Sequence, residues 1–296
     1  MNTDLQNVGT VHTIWRYPVK SMQGEMVDEA IITAHGLRGD RSYALVEVET
    51  GHVVSAKHPR KWAQVLQCRA AYLAPPGAAG TLPPIQITLP DGSTVTSHDP
   101  DVDRVLSAAL GREVRLVGQS PDDPVDRPIR EANRAPVYEI ESAEDIRLEP
   151  MGRATPGGTF VDYAPLLLLT TASLQWLRTI TPGSDFDVRR FRPNMVIEPR
   201  DEAAGLVEND WLGHHLQIGE RLTLHVFDPC PRCVITTLAQ RELAHDVQIL
   251  RTVAQHTAAQ SVTEAPGQDM PAVVGVYAQA ETGGTVRSGD AVQVRR

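Results

Sequence analysis

The chain has 296 residues, of which 41% are hydrophobic and 22% are charged. This composition is typical of a globular protein and excludes a fibrous or disordered one, and the length fits two domains better than one. The 28 Lys and Arg residues against 37 Asp and Glu residues give a formal charge of −9, so nucleic-acid binding is not expected.

The cysteine count and the apolar stretches indicate the compartment. Three cysteines are too few for a disulfide framework, so a reducing environment is expected, and we predict the cytoplasm. The N-terminal residues lack the basic start and the apolar run of a signal peptide. The longest apolar stretch, residues 164–169, is too short to cross a bilayer, so no membrane anchor is predicted.

The first half of the chain is predicted to be a β-domain. Turn residues separate its short β-rich runs, which are residues 10–19, 26–33, 42–48, 52–55, 67–73 and 85–89. Residues 49–51 and 90–93 have the composition of hairpin turns. A helix is predicted next, with Asp99 as its cap, Pro100 at its first position and Gly111 at its end.

A connection is predicted between the two halves. Residues 118–136 contain four prolines and three aspartates with little apolar periodicity, which favours an exposed segment. We therefore predict an N-terminal domain at residues 1–120, a connection at 121–150 and a second domain at 151–296.

The second half alternates strands with two helices. Residues 165–169 are predicted as a strand, and Thr170 or Thr171 as the cap of a helix that presents Leu174, Leu177 and Ile180. Strands are predicted at 194–197, 216–218 and 222–227, a helix at 243–254, and a closing hairpin from 272–280 and 285–294. The predicted fold class is mainly β (α+β), with an N-terminal β-barrel-like domain, a second β-barrel domain and a few flanking helices.

The segment from Asp228 to Leu238 holds two of the three cysteines, Cys230 and Cys233, in a Cys-Pro-Arg-Cys arrangement. The positive charge of Arg232 favours a thiolate, the form that attacks electrophiles and binds soft metals. Spacing alone leaves a packing role, a structural zinc site and a redox dithiol open. Zinc needs four ligands and the sequence offers no second pair at zinc spacing, while a thioredoxin-like dithiol needs a βαβ unit.

Three basic clusters are candidates for anion binding. Lys20 and Ser21 follow a predicted strand and offer an ammonium and a hydroxyl group to a phosphate oxygen. Arg38 and Arg41 lie in the turn-rich segment 36–41. Residues 189–194 form a local basic run in an acidic chain, and this contrast points to an anion site.

In their order along the chain, these motifs resemble a known family. They are Tyr-Pro-Val-Lys-Ser at 17–21, Gly-Leu-x-x-Asp-Arg at 36–41, Phe-x-Asp at 160–162, Phe-Arg-Pro-Asn at 191–194, Cys-Pro-Arg-Cys-x-x-Thr-Thr at 230–237, and a terminal Gly-Val-Tyr followed by Gly-Asp. The set resembles MOSC-domain proteins with an N-terminal MOSC β-barrel domain. Within that family it is most similar to the amidoxime-reducing components, which are molybdenum enzymes that reduce N-hydroxylated compounds.

The resemblance implies a molybdenum cofactor, in which a molybdopterin carries the metal, bound between the two domains. It implies that Cys233 is the protein ligand of molybdenum and that Cys230 is not a ligand. Asp162 matches an acidic residue near the metal and is a predicted catalytic residue together with Cys233. The implied cofactor-binding residues are Lys20, Ser21, Arg41, Arg192, Asn194 and Thr236.

The resemblance also implies a reaction and partners. The substrate is a small N-hydroxylated or N-oxide compound, and the electrons come from a separate donor protein such as a flavodoxin, a ferredoxin or a cytochrome b5-like protein with its reductase. Two alternatives stay open: a sulfur carrier with a persulfide on Cys233, and a cofactor-binding module without turnover. The sequence departs from the eukaryotic reductases at Pro231 and at residues 239–242.

Overall fold

The computed structural model describes residues 5–78, 81–118, 137–141 and 145–295. In the first part of the chain the strands are β1 (Leu5–Arg16), β2 (Glu25–Val27), β3 (Glu29–Thr33), β4 (Gly36–Leu37), β5 (Tyr43–Glu47), β6 (Arg69–Tyr72), β7 (Ile85–Thr88), β8 (Thr94–Thr96), β9 (Val114–Gly118), β10 (Val137–Glu141) and β11 (Ile146–Pro150). In the second part they are β12 (Leu166–Thr170), β13 (Met195–Pro199), β14 (His215–Ile218), β15 (Leu222–Pro231), β16 (Ala258–Gln260), β17 (Asp269–Pro271), β18 (Val273–Thr282), β19 (Gly284–Arg287) and β20 (Ala291–Arg295).

Helices are short in the described residues. The α-helices are α1 (Pro59–Trp62), α2 (Val102–Leu110), α3 (Thr171–Ile180), α4 (Val188–Phe191) and α5 (Val247–His256). Turns of 3₁₀-helix lie at Ala63–Gln67, Val207–Trp211 and Val234–Thr237. The predicted fold class, mainly β with few helices, is confirmed.

A closed barrel organises the second half. Seven strands follow one another in the order β13-β12-β18-β15-β14-β20-β1, and β1 closes the circle by pairing with β13. Alternate side chains point inward, as the period of a strand requires, so Leu222, Leu224 and Val226 of β15 lie in the barrel core. β1 therefore belongs to this barrel although it comes first in the chain.

The first half has its own core. β6, β7 and β8 form a three-stranded sheet, and β5 pairs with β9. The helix α2 packs its apolar side into this core. Its Leu106 and Leu110 are buried in the same cluster as Trp62 and Leu45. The hairpin predicted around residues 90–93 is confirmed, since β7 and β8 pair antiparallel.

The predicted connection, residues 121–150, is only partly described. Residues 119–136 and 142–144 lie outside the described residues. The described remainder contains the antiparallel hairpin of β10 and β11, in which Tyr138 is buried. This hairpin contributes Tyr138 and Glu149 to the cavity described below.

Three sequence-based details are wrong. The helix α2 begins two residues after Pro100, because the Asp99 carboxylate accepts a hydrogen bond from Thr96 N and remains in the preceding turn. The helix α5 begins at Val247 and not at 243, since Asp246 caps it by accepting from Gln248 N. No closing hairpin forms: β18 pairs with β12 and β15, β19 with β3, and β20 with β14 and β1.

Candidate functional site

A cavity of about 330 Å³ lies between the first half of the chain and one end of the barrel. Its wall comes from the segment after β1, the β10–β11 hairpin, the loop before β12, the segment around α4 and the end of β15. All eight sequence-predicted site residues line it: Lys20, Ser21, Arg41, Asp162, Arg192, Asn194, Cys233 and Thr236. The structure thus brings together residues separated by more than two hundred positions.

The cysteine segment forms where β15 ends. Cys230 is buried in the last residues of the strand, and Cys233, half-buried, precedes the 3₁₀ turn Val234–Thr237. Thr236 fixes this turn, because its amide and its hydroxyl both donate to the Cys233 carbonyl, at 3.2 and 3.0 Å. The motif precedes a single 3₁₀ turn and not the long helix of a βαβ unit, which excludes the thioredoxin-like alternative.

Two cations act on the cysteine segment. The Arg232 guanidinium donates to Cys230 Sγ at 2.8 Å and to the Phe191 carbonyl. Burial lowers the pKa of Arg232, but Cys230, Tyr277 and Cys233 raise it further, so it stays above its usual value. The second cation is Lys57, which lines the same cavity, and Cys233 raises its pKa. Arg232 and Lys57 thus place positive charge beside the cysteine segment.

Two lysines converge on Asp162. Lys20 Nζ donates to Asp162 Oδ1, and Lys57 Nζ lies 3.1 Å from Oδ2. Both ammonium groups also lie over the Tyr138 ring, at 4.6 and 5.0 Å from its centroid. Although burial raises the pKa of Asp162, Lys20 and Lys57 lower it far more, so this carboxylate is ionised at neutral pH.

The same cluster affects the two lysines differently. Burial lowers the pKa of Lys20 to about 8, because the contribution of Asp162 only partly offsets the loss of water. For Lys57 the attraction of Asp162, Cys233 and Tyr138 exceeds the effect of burial, so its pKa lies above its usual value. Lys57 is thus a permanent cation in the cavity wall, while Lys20 can release its proton near neutral pH.

Two arginines meet around Tyr17. The Arg41 and Arg192 guanidinium carbons lie 4.6 and 4.3 Å from the Tyr17 ring centroid. Arg41 Nη1 also donates to Asp40 Oδ2, and Arg192 Nη1 donates to the Met22 carbonyl at 2.7 Å. Burial first and then Arg41 lower the pKa of Arg192 to about 10, so Arg192 still carries a charge at neutral pH.

The backbone is strained at three of the site residues. Ser21, Arg41 and Arg192 have φ values of 65°, 44° and 57°, in the left-handed region that residues with a side chain rarely adopt. Among the described residues only two other non-glycine positions share this conformation. Because such strain persists where the surrounding structure enforces it, its concentration at one cavity marks a functional site.

Two predicted site residues bond mainly to the backbone. Ser21 Oγ accepts a hydrogen bond from Ala56 N at 3.1 Å. The buried Asn194 side chain accepts from Leu167 N at 3.1 Å and donates to the Trp15 carbonyl at 3.4 Å, which joins β1 to β12. These side chains shape the cavity wall. Their hydrogen bonds to the backbone leave fewer donors and acceptors for a ligand.

Residues 239–242, where the sequence departs from the eukaryotic reductases, attach the cysteine loop to the first half. Gln240 is fully buried, accepts from Gln23 Nε2 at 2.7 Å and donates to the Ile235 carbonyl at 3.2 Å. Gln67 donates to the Ala239 carbonyl and accepts from Arg241 N, at 2.8 and 2.7 Å. This segment therefore sets how the cysteine turn sits against the first half.

Sequence reasoning missed several lining residues. Lys57 and Tyr138 lie outside the quoted motifs, and Tyr277 belongs to the terminal Gly-Val-Tyr motif but was not chosen as a site residue. The rim pair of Arg153 and Glu264, 3.2 Å apart, was also missed. In the described residues no group of three or more His, Cys, Asp or Glu side chains is placed to bind a metal, so the zinc alternative gains no support.

Arg190 holds the cysteine turn from behind. Its guanidinium donates to the carbonyls of Thr236, Leu238 and Ala244, at 3.1, 3.3 and 2.7 Å, and its Nε donates to that of Asp185 at 2.8 Å. We expect Arg190→Lys to lower the free energy of unfolding by about 2–3 kcal/mol, because a lysine leaves buried carbonyls unpaired. Urea unfolding measures this effect.

The neighbouring Arg189 is the matched control for that prediction. It is half-exposed and pairs with Asp187 and Glu242 at 2.9 and 3.0 Å. Arg189→Lys should change stability by less than about 0.5 kcal/mol, as exposed ion pairs do. Equal effects of the two substitutions would contradict the role given to Arg190.

Comparisons with known proteins match two family models to this chain. The model of the MOSC domain matches residues 157–293, and that of the MOSC N-terminal beta barrel domain matches residues 8–72. The mitochondrial amidoxime reducing component 2 of Rattus norvegicus is 28% identical, over 97% of this chain and 84% of that protein. The mitochondrial amidoxime-reducing component 1 of Homo sapiens is 30% identical, over 79% of this chain and 67% of that protein.

One solved structure also spans the chain. The YuaD protein from Bacillus subtilis covers 98% of each chain with a TM-score of 0.44 and 8% identity. In the described part of the chain no helix combines the length and apolar character that crossing a bilayer requires. The eight predicted site residues lie in the two matched segments, three in the first and five in the second.

Proposed function

The chain belongs to the family of MOSC-domain proteins with an N-terminal MOSC β-barrel domain, and from this premise we propose that it is a molybdenum-cofactor-dependent reductase of N-hydroxylated or N-oxide compounds. The observation that carries the proposal is a half-buried thiol at the edge of a strongly cationic cavity.

The residues of the cavity fit the proposed cofactor. Seven lysine and arginine side chains line it against three carboxylates, in a chain whose formal charge is −9. Such a local excess of cations suits an anionic group such as the phosphate of a pterin cofactor. The thiolate of Cys233 is the soft ligand that this metal site needs.

Each side chain has a proposed part in binding. Cys233 Sγ would ligate the metal, and the positive charges of Arg232 and Lys57 line the same cavity. Arg41, Arg192 and Lys20 would hold the phosphate end. Ser21, Asn194 and Thr236 shape the wall through the backbone bonds that they make.

When bound, the cofactor supplies the two-electron oxygen-transfer chemistry of the reaction. Reduction of an N-hydroxylated compound breaks the N–O bond, consumes two electrons and two protons, and releases the amine-type product and one water. Asp162 is ionised, so we propose that it accepts hydrogen bonds and holds Lys20 and Lys57 in the cavity. The pKa of Lys20 is about 8, so the ammonium that Asp162 holds is mostly charged at neutral pH and can bind the phosphate end.

The electrons are proposed to come from a separate one-electron carrier protein, such as a flavodoxin, a ferredoxin or a cytochrome b5-like protein with its reductase. A four-cysteine iron–sulfur cluster cannot form within this chain, because it has three cysteines. All three are free thiols. They support a reducing compartment, and the cytoplasm stays a prediction, since the relatives are named as mitochondrial.

The proposal is tested on protein purified from a host that makes the molybdenum cofactor. Elemental analysis should find about one molybdenum per chain, together with a fluorescent pterin after oxidation. With a chemical one-electron reductant the protein should convert an N-hydroxylated substrate to its reduced product. Absence of both metal and pterin, also after reconstitution, would refute the proposal.

The half-buried free thiol of Cys233 also suits the alternative of a sulfur carrier. In that case intact-mass analysis of the metal-free protein should find a reducible adduct of about 32 Da, one sulfur atom, on Cys233. A bound cofactor without any turnover of reducible substrates would favour a binding module.

A further inference from the structure

Tyr17 lies between two parts of the chain that meet at the cavity. Its ring is fully buried at the end of β1, and it contacts Arg41 from the first half and Arg192 from the second. The two arginines also touch each other, since Arg41 Nη2 donates to the Arg192 carbonyl at 3.4 Å. Both arginines line the cavity and Tyr17 lies behind them.

Two guanidinium groups repel each other when they converge in a site shielded from water. The effect of Arg41 on the pKa of Arg192 shows this repulsion. An aromatic ring has a negative face, so a cation over it is attracted without any carboxylate. Tyr17 thus stabilises both charges without occupying any of their N–H donors. Arg41 in addition pairs with the Asp40 carboxylate, and Arg192 donates to the Met22 carbonyl.

The hydroxyl group of Tyr17 takes no part in this arrangement. It is buried, and it has no hydrogen-bond partner within the described residues. By contrast, the backbone of Tyr17 is fixed on both sides: its N–H donates to Asp40 Oδ1 at 2.7 Å, and its carbonyl accepts from Arg41 N at 2.7 Å. The two backbone hydrogen bonds therefore fix the position of the ring, although the phenol oxygen makes no hydrogen bond within the described residues.

We propose that Tyr17 is a positioning residue whose ring holds Arg41 and Arg192 together as a preformed receptor for one phosphate-type dianion. This inference rests on the proposed function only for the identity of that dianion, the phosphate of the cofactor. Asp40 supports the receptor from the outer side, because its two oxygens bind Tyr17 N and Arg41 Nη1.

The test compares Tyr17→Phe and Tyr17→Leu in the full chain. The first probe is inorganic phosphate, titrated into the cofactor-free protein by calorimetry. Tyr17→Phe should bind it as wild type does, since the ring remains, whereas Tyr17→Leu should bind about tenfold more weakly, or about 1.4 kcal/mol. The second readout is the molybdenum and pterin content after expression in a cofactor-producing host, which should fall only in Tyr17→Leu.

Trp62→Leu is the matched control. Trp62 is also buried and carries two cations, Lys61 and Arg112, at 5.6 and 5.8 Å from its ring, but it does not line the cavity. This substitution should lower the melting temperature without changing phosphate affinity. If Tyr17→Leu does not fold, Tyr17→Met, whose longer and more flexible side chain can adapt to the space of the ring, takes its place.

The inference would be overturned by phosphate binding in the aliphatic variant as tight as in wild type, or by an equal loss in Tyr17→Phe. Wild-type protein that does not bind phosphate at all would also overturn it. These results are independent of the proposed function, which fails when wild-type protein from the cofactor-producing host contains neither molybdenum nor pterin.

Discussion

Cys233→Ser is expected to abolish molybdenum binding and reductase activity while leaving the fold intact. A serine hydroxyl is a hard, protonated ligand at neutral pH and does not replace a thiolate on a soft metal site. The backbone at Cys233 is extended, and its side chain does not cap the following 3₁₀ turn, so serine fits without strain. Molybdenum content, activity and melting temperature of the purified variant test the three parts of this expectation.

Cys230→Ser is the control for that experiment. It lies three residues away, is more deeply buried and bonds to Arg232. A serine oxygen can accept the same hydrogen bond, so the variant should keep its molybdenum. Retained metal in Cys233→Ser together with lost metal in Cys230→Ser would show that the ligand has been assigned to the wrong cysteine.

The second large effect is expected for Asp162→Asn. This change removes the negative charge between Lys20 and Lys57 and leaves two largely buried ammonium groups facing each other. Removing one partner of a buried ion pair costs about 3–5 kcal/mol. Because the Asp162 side chain is 35% exposed, we expect Asp162→Asn to lower the free energy of unfolding by about 2–3 kcal/mol. Urea unfolding of the cofactor-free protein at pH 7 measures the loss.

The pH dependence of this loss has a definite sign. In the native state the pKa of Asp162 is held far below its ordinary value of 3.8, so the unfolded chain takes up the proton first. The stabilisation by Asp162 is fully present above pH 3.8 and is lost as the pH falls toward the native pKa. The difference between wild type and Asp162→Asn should therefore shrink below pH 3.8.

An exposed ion pair provides the comparison for Asp162. Asp101 pairs with Arg104 at 2.8 Å on the outer side of α2, where both side chains are mostly in water. Asp101→Asn should leave the urea midpoint unchanged at pH 7. An unchanged midpoint in Asp162→Asn as well would mean that the lysine cluster does not contribute to stability.

Local sequence signals predicted most of the strands and the candidate site. The hairpin of β7 and β8 follows from its Asp-Gly turn, and Thr170 caps α3 as predicted, accepting from Ser173 N at 3.1 Å. The ordered motifs located eight of the residues that line the cavity. These features depend on side chains that are close in sequence or on motifs that a family shares.

Pairing between distant strands could not be predicted in the same way. β1 reads as a strand of the first half, but its partners are β13, β20 and β2, two of which lie in the second half of the chain. Lys57 was missed for a related reason. Its neighbours in sequence are unremarkable, and only the fold brings it to Asp162.

The placement of β1 determines when the barrel can close during synthesis of the chain. Residues 14–16 can pair early with β2, but the rest of β1 must wait for its partners until β13 and then β20, the last strand in chain order, have been synthesised. Contacts of such large sequence separation form slowly. Lys20 and Arg41 reach Arg192 and Cys233 only after this closure, so cofactor loading is expected to follow synthesis, and a nascent chain exposes an open strand edge to chaperones or to aggregation.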